Sequence, residues 1–192
     1  MERNRKTIIT LLMTLVYFIV YSNDNKVEVG DTISSFTAVD ENGDLWNSVD
    51  LKGRILVIYF YPAAMTGGCT KQACSYRDNR GEIMDLGAEI IGVSGDEPQN
   101  LKLFKDAYNL NFTLLSDTEG KVAKLFGVPV KQGKTITKEV NGKQYKLTRK
   151  ITTSRWTFVI STDGEILYRS TDVIAAQDSD AVIEVLQKYT DK

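Results

Sequence analysis

Hydrophobic positions along this chain switch repeatedly between the period of a strand and that of a helix. "ILVIYFYP", residues 55–62, is continuously apolar and predicts a central strand buried on both faces. Two shorter runs, "EIIGV" (89–93) and "FTLL" (112–115), predict further strands separated by helical patterns. In one such pattern Leu101, Phe104 and Tyr108 share a face; Asp96 is placed to cap that helix, and Pro98 is tolerated in its first turn. "TEGKVAKLF" predicts a short helix that stops before Gly127. "RWTFVI" and "EILYR" flank Asp163-Gly164 as a hairpin. A final helix is expected to bury Ala181, Val182, Val185, Leu186 and Tyr189 along one stripe. Upstream, "SFTAVDENGDLWNSVDLKG" reads as an N-terminal hairpin turning at Asn42-Gly43. Strand–helix alternation closed by a hairpin and a helix predicts an α/β fold in three layers, a central mixed β-sheet flanked by helices.

Two segments stand outside this alternation. Residues 131–150, "KQGKTITKEVNGKQYKLTRK", alternate around Asn141-Gly142 and predict a protruding hairpin with seven basic residues and a single acid, Glu139. Two readings of it stay open: a solvated, lysine-protected edge that resists aggregation, or a docking surface for an acidic reductant or anionic lipid heads. At the N-terminus, Arg3, Arg5 and Lys6 precede the uncharged run Thr7–Ser22, which is the order of a secretory signal. Val20 and Ser22 suit cleavage that leaves Asn23 first, with an uncleaved anchor over residues 1–22 as the alternative. Residues 23–192 then form one domain, expected to be exported to the periplasm or another extracytoplasmic space and to meet a membrane only if the leader is kept.

Without the leader's three bases and one acid, 21 basic and 24 acidic residues remain, a net charge of −3 that gives no support to a nucleic-acid partner. The chain has no histidine, which removes histidine bases, Ser-His triads and most transition-metal sites together.

Both cysteines lie in "YPAAMTGGCTKQAC", residues 61–74. A structural disulfide between Cys69 and Cys74 would close a very short loop and add little stability. A zinc site needs four ligands, and the Cys-x-x-Cys spacing of dithiol oxidoreductases is absent. A reactive thiol is the reading that remains. Cys69 follows Gly67-Gly68, where a buried strand is expected to turn tightly into a helix. Its sulfur would face free backbone N–H groups and the positive end of the helix dipole, and both favour the thiolate. Gly67 and Gly68 let N–H groups approach a small substrate closely. Thr66 brings a hydroxyl able to donate to the thiolate and accept from a substrate proton, and Pro62 ends the strand and shields the loop. Arg155 opens an otherwise apolar strand, where its charge must either meet an anion or snorkel to the surface. The substrate that fits is small, polar and electrophilic at oxygen or sulfur.

Pro62-x-x-x-Thr66-x-x-Cys69 resembles the active-site signature of the peroxiredoxins. The wider "FYPAAMTGGCTKQACSYRD" is similar to the subfamily called PrxQ, or bacterioferritin comigratory protein. The likeness covers residues 30–190, including "GVSGD", "FTLLSDTEGKVAKLFGV" and "RWTFVISTDGEILYR". This resemblance implies a thioredoxin-like fold and a thiol peroxidase for hydrogen peroxide and organic hydroperoxides, with no cofactor and no metal. By the same resemblance Cys69 is the peroxidatic cysteine and Cys74 the resolving one, joined as a disulfide within one helix. Thr66 and Pro62 match pocket residues, and Arg155 matches the arginine that stabilises the thiolate and polarises the peroxide. The Gly68 and Cys69 amides, with Thr66 and Arg155, would hold the reacting atoms in line. A thioredoxin or thioredoxin-like protein is the implied reductant, and a monomer is the expected state. Two positions depart from the pattern. Gly67 stands where many relatives carry proline, and Gln72 where glutamate is frequent, so a carboxylate–arginine network there is expected to be lost. The alternatives are an exported thiol–disulfide oxidoreductase and a non-catalytic redox sensor.

The leader supplies a first test. Expressed in a bacterium with an intact Sec system, the protein should be recovered outside the cytoplasm, with an N-terminus near Asn23 by N-terminal sequencing. A cytoplasmic product that keeps Met1 would refute export, and a membrane-bound one that keeps it would support the anchor.

Overall fold

The apolar run at residues 55–60 is buried along its whole length, as a strand must be when its sheet is covered on both faces. The computed structural model describes residues 27–190, so the leader expected over residues 1–22 lies outside the described part. An antiparallel hairpin of β1 (Thr37–Asp40) and β2 (Leu45–Asn47) turns at Asn42-Gly43, as expected. β3 (Ile55–Phe60) leads into α1 (Gly67–Asp78) and α2 (Arg80–Asp85), followed by β4 (Ala88–Ser94), α3 (Pro98–Tyr108), β5 (Thr113–Ser116) and α4 (Lys121–Leu125). The chain then makes an excursion through β6 (Val130–Gln132), β7 (Thr135–Val140), β8 (Lys143–Thr148) and β9 (Ile151–Thr153). It returns with β10 (Trp156–Ile160), β11 (Ile166–Ser170) and α5 (Asp178–Thr190). The main sheet has seven strands in the order β11-β10-β3-β4-β5-β1-β2. β3, β4 and β5 run parallel, while β10 pairs antiparallel with β3, which makes this the mixed sheet the alternation predicts.

Alternation along β3 divides the core in two. Ile55, Val57 and Tyr59 face a cluster fed by α1, α2, α3 and α5, while Leu56, Ile58 and Phe60 face one built with α4 and the N-terminal segment. The inward stripe of α5 differs from the expected one. Val182, Ile183 and Leu186 are buried, Ala181 and Val185 are half-buried, and Tyr189 is exposed. The helix is rotated because its first turn directs Asp178 and Ser179 inward, and residues three and four positions on follow the same face.

Asp96 does not cap α3, whose N-cap position is Glu97. It is buried, and its Oδ1 lies 2.8 Å from both Nε and Nη2 of Arg149. Its Oδ2 accepts from the Ala64 N–H at 2.8 Å and from Ser94 Oγ at 3.1 Å. A buried charge needs this much company, which is why the residue turns inward rather than toward the helix end. The carboxylate that holds a helix start is instead Asp117, which accepts from the Val122 and Ala123 amides of α4.

The basic hairpin forms as expected, with Asn141 and Gly142 both in the left-handed region. It is not solvated on both faces, however. Ile136, Val140, Tyr145 and Leu147 pack onto the first core cluster, and Arg149 belongs to the Asp96 ion pair rather than to the exposed basic edge. Its base is tied to the rest of the protein by Asn100 Nδ2, which donates to the Thr148 carbonyl, and by Thr153 Oγ1, which donates to that of Tyr61. The fit is close: a Cβ on Gly95 would stand 2.3 Å from the Ile151 carbonyl oxygen.

The side chains of Arg149 and Asp96 are 2% and 0% exposed, so Arg149→Met would leave a buried carboxylate without its cation. That substitution should lower stability by about 3–5 kcal/mol in chemical denaturation. An unchanged unfolding midpoint would show that the pair does not hold the hairpin base.

Candidate active site

The loop after β3 is shaped from outside itself. Thr153 holds the Tyr61 carbonyl and Asp96 holds the Ala64 amide. Met65 then takes φ 64°, an uncommon conformation for a residue with a side chain. The tight turn expected at Gly67-Gly68 therefore sits at Met65, and the two glycines form the start of α1. Pro62 lies between the strand and this loop, half-buried.

Cys69 is the third residue of α1 and only 2% exposed. Arg155, one residue before β10, donates from Nη2 to its Sγ at 3.3 Å. Of the two placements expected for Arg155, the structure has the guanidinium turned to the Cys69 sulfur and not snorkelling to the surface. Gly68 makes room for it: a Cβ there would come within 3.2 Å of Arg155 Nη2. Thr66 differs from expectation. Its hydroxyl donates to the Ala63 carbonyl at 2.9 Å instead of to the sulfur, which leaves its oxygen as an acceptor.

The network expected to be lost at Gln72 is present in another form. Gln72 Oε1 accepts from Arg155 Nη1, and Gln72 Nε2 donates to Asp178 Oδ2 at 2.7 Å. The same carboxylate oxygen accepts from Tyr76 Oη at 2.8 Å and from Thr157 Oγ1 at 2.7 Å. Burial pushes the Asp178 carboxyl up from its ordinary range, opposed by these three donors and by the charge of Arg155. Burial likewise raises the phenols of Tyr59, Tyr61 and Tyr76, which stay neutral beneath the site. Sequence reasoning missed Asp178, Tyr76 and Thr157. An acid opening a helix reads as a partner for the dipole, and nothing local marks a contact across 106 residues.

Cys74 is half-buried on the same helix, and both thiols are free. Five helical steps separate their Cα atoms by roughly 8–9 Å and turn the side chains apart by about 140°. A disulfide tolerates about 7 Å with converging Cβ vectors, so the pair cannot bond while α1 is intact. What holds α1 in place is largely polar. Gln72 and Tyr76 bond Asp178, Ser75 bonds Ser179, and Asn79 bonds Ser179 and Asp180, all in the first turn of α5. Among the described residues no group of three or more His, Cys, Asp or Glu side chains could hold a metal ion. The chemistry on hand is that of thiol, guanidinium, hydroxyl and backbone N–H.

Comparison with known proteins agrees with this geometry. The AhpC/TSA family matches residues 29–169. Peroxiredoxin Bcp of Escherichia coli K12 is 36% identical over 165 residues, covering 86% of this chain and 99% of its own. The crystal structure of peroxidoxin BcpB from Mycobacterium tuberculosis superposes with a TM-score of 0.70 at 32% identity, over 84% of this chain and 97% of that one. The bacterioferritin comigratory protein of Xanthomonas campestris, described for its alkyl peroxide reduction, gives a TM-score of 0.68 at 27% identity over 85% and 98%. The mixed sheet is thus the thioredoxin-like fold of these structures.

If disulfide formation requires α1 to open, amides of residues 69–78 should exchange hydrogen markedly faster in the disulfide form than in the dithiol form. Equal protection in both, with the disulfide confirmed by mass, would overturn the idea.

Proposed function

Because the chain belongs to the AhpC/TSA family and to its Bcp/PrxQ peroxiredoxins, it is a thiol-dependent peroxidase, and we propose how its residues share that reaction. Cys69 is the thiol that attacks peroxide. The observation that carries this is the Arg155 guanidinium 3.3 Å from a sulfur buried at the start of a helix. The thiolate attacks one peroxide oxygen, an S–O bond forms as the O–O bond breaks, and the departing oxygen leaves as water or an alcohol after taking a proton. Cys69 is now a sulfenic acid. Cys74 condenses with it, forming the S–S bond and releasing water, and an external dithiol returns both to thiols by exchange. During attack, Arg155 and the Gly68 and Cys69 amides stabilise charge on the oxygens, and the Thr66 oxygen accepts a hydrogen bond from the peroxide O–H, whose proton passes to the departing oxygen. Pro62 keeps the approach dry.

Organic hydroperoxides fit beside hydrogen peroxide as substrates, on the precedent of the Xanthomonas relative. A thioredoxin-like protein fits as reductant, and the exposed lysines of the hairpin beside the site favour one with an acidic face. A protein disulfide as first substrate fits poorly, since a thiol 2% exposed is out of reach of a folded partner.

Cys69→Ser should abolish peroxide consumption. Cys74→Ser should reduce one equivalent and then stall as sulfenic acid. Arg155→Ala should slow single-turnover attack by about a hundredfold, and Thr66→Val should slow it without unfolding the protein. Equal loss from both cysteine variants in a single turnover, or wild-type rates in the Arg155 and Thr66 variants, would reject this division of roles.

A further inference from the structure

A line of polar groups begins at the sulfur and ends at Asp178. Arg155 gives Nη2 to Cys69 and Nη1 to Gln72, and Gln72 gives its amide nitrogen to Asp178. The direction of that line is set from its far end. A carboxylate only accepts, so it takes the NH2 of Gln72 and leaves the amide oxygen for the guanidinium. A flipped amide would put NH2 against Arg155 and oxygen against oxygen at Asp178. One oxygen accepting from Gln72, Tyr76 and Thr157 is the environment of an anion. A second carboxylate at position 72 would stand 2.7 Å from it, where two like charges cannot both persist.

We propose that Asp178 is a positioning residue for the peroxide reaction: through Gln72 it holds Arg155 against the Cys69 sulfur and supplies part of the guanidinium's counter-charge. It does not touch the substrate. The inference rests on Cys69 being the thiol that reacts with peroxide. Its distinctive content is that the pair of positions 72 and 178 needs one amide and one carboxylate.

The test is the single-turnover rate of the purified, reduced protein with hydrogen peroxide, with thermal melts alongside. Asp178→Asn keeps the volume but removes the charge, and should slow attack about tenfold. Gln72→Glu, which faces two carboxylates against each other, should slow it by a similar factor. The double variant Gln72→Glu/Asp178→Asn restores one carboxylate and one amide, with the carboxylate now against Arg155, and should recover to within about threefold of the parent. A tie that merely fastened α1 to α5 would lower and restore the melting midpoint in step with the rate, whereas the proposal requires each single variant to lose rate at a melting midpoint close to the parent's. A parental rate in Asp178→Asn, or a double variant no faster than the slower single one, would overturn the proposal. Should Asp178→Asn fail to fold, Gln72→Glu and the double variant decide it alone, since rescue supports the proposal and its absence refutes it. Peroxide consumption that survives Cys69→Ser would instead reject the assignment of the thiol.

Discussion

Arg155 is a half-buried guanidinium turned toward the site, and much of the surrounding structure follows from meeting that charge. Partly withdrawn from water, a cation is costly if unmet, and one that is met acts more strongly than it would in open solvent. Its position follows from strand register. β10 runs antiparallel to β3 with Trp156 opposite Phe60, so the residue just before β10 lands where β3 ends and α1 begins. Gly68 clears the space, Cys69 offers a sulfur, and Gln72 offers an oxygen. Thr157, the second residue of β10, reaches the same Asp178 carboxylate that receives Gln72. β10 and the residue just before it thus supply both a donor to the distant counter-charge and the cation itself.

With Cys74 resolving Cys69 as proposed, the same helix would have to hold the site and then release it. Before Tyr76, α1 buries only Cys69, Gln72 and Ala73, so little apolar area fixes the stretch that carries the two cysteines. The rest of its attachment is the hydrogen-bonded seam to the first turn of α5. Each such bond is worth only about 1–3 kcal/mol net, the higher figure for those to the Asp178 carboxylate, because water replaces it when the helix opens. A purely apolar interface would resist opening more strongly, since its area would be exposed with nothing to compensate. Rotation of α5 from its expected stripe serves this seam. Asp178 and Ser179 face inward at the expense of Ala181 and Val185.

How much of this was legible in the sequence depends on the range of the cause. The buried strand, the hairpin turns and the thiol at a helix start come from neighbouring residues, and they are where the pattern places them. Residues whose partners lie far along the chain were misread by their local appearance. Asp96 looks like a helix cap and is half of a buried ion pair with Arg149, 53 residues away. Arg149 looks like one more base on a solvated hairpin. Gln72 looks like the loss of a carboxylate network, but the carboxylate has moved outward by one link, to Asp178. Met65, not a glycine, takes the left-handed turn, because Thr153 and Asp96 hold the loop just before it, at Tyr61 and Ala64. Propensity would put a glycine there; tertiary hydrogen bonds override it.

These long-range ties also decide which part of the site stays and which part moves. On one side of Cys69, the loop of residues 61–64 is clamped to Thr153 and to the Asp96–Arg149 pair, and Arg155 is anchored in the sheet. On the other side, Tyr76 is fully buried and stacks on Tyr59 with ring centroids 4.7 Å apart. Withdrawing an aromatic ring from the core costs more than breaking the polar bonds that precede it. Opening of α1 therefore has a start at the Gly67-Gly68 pair and a stop at Tyr76, and both cysteines fall between. Gln72 falls there too. On the proposed pairing, a movement that brought the two sulfurs together would also break the link from Arg155 to Asp178, so the arrangement suited to peroxide would exist only while the dithiol is reduced.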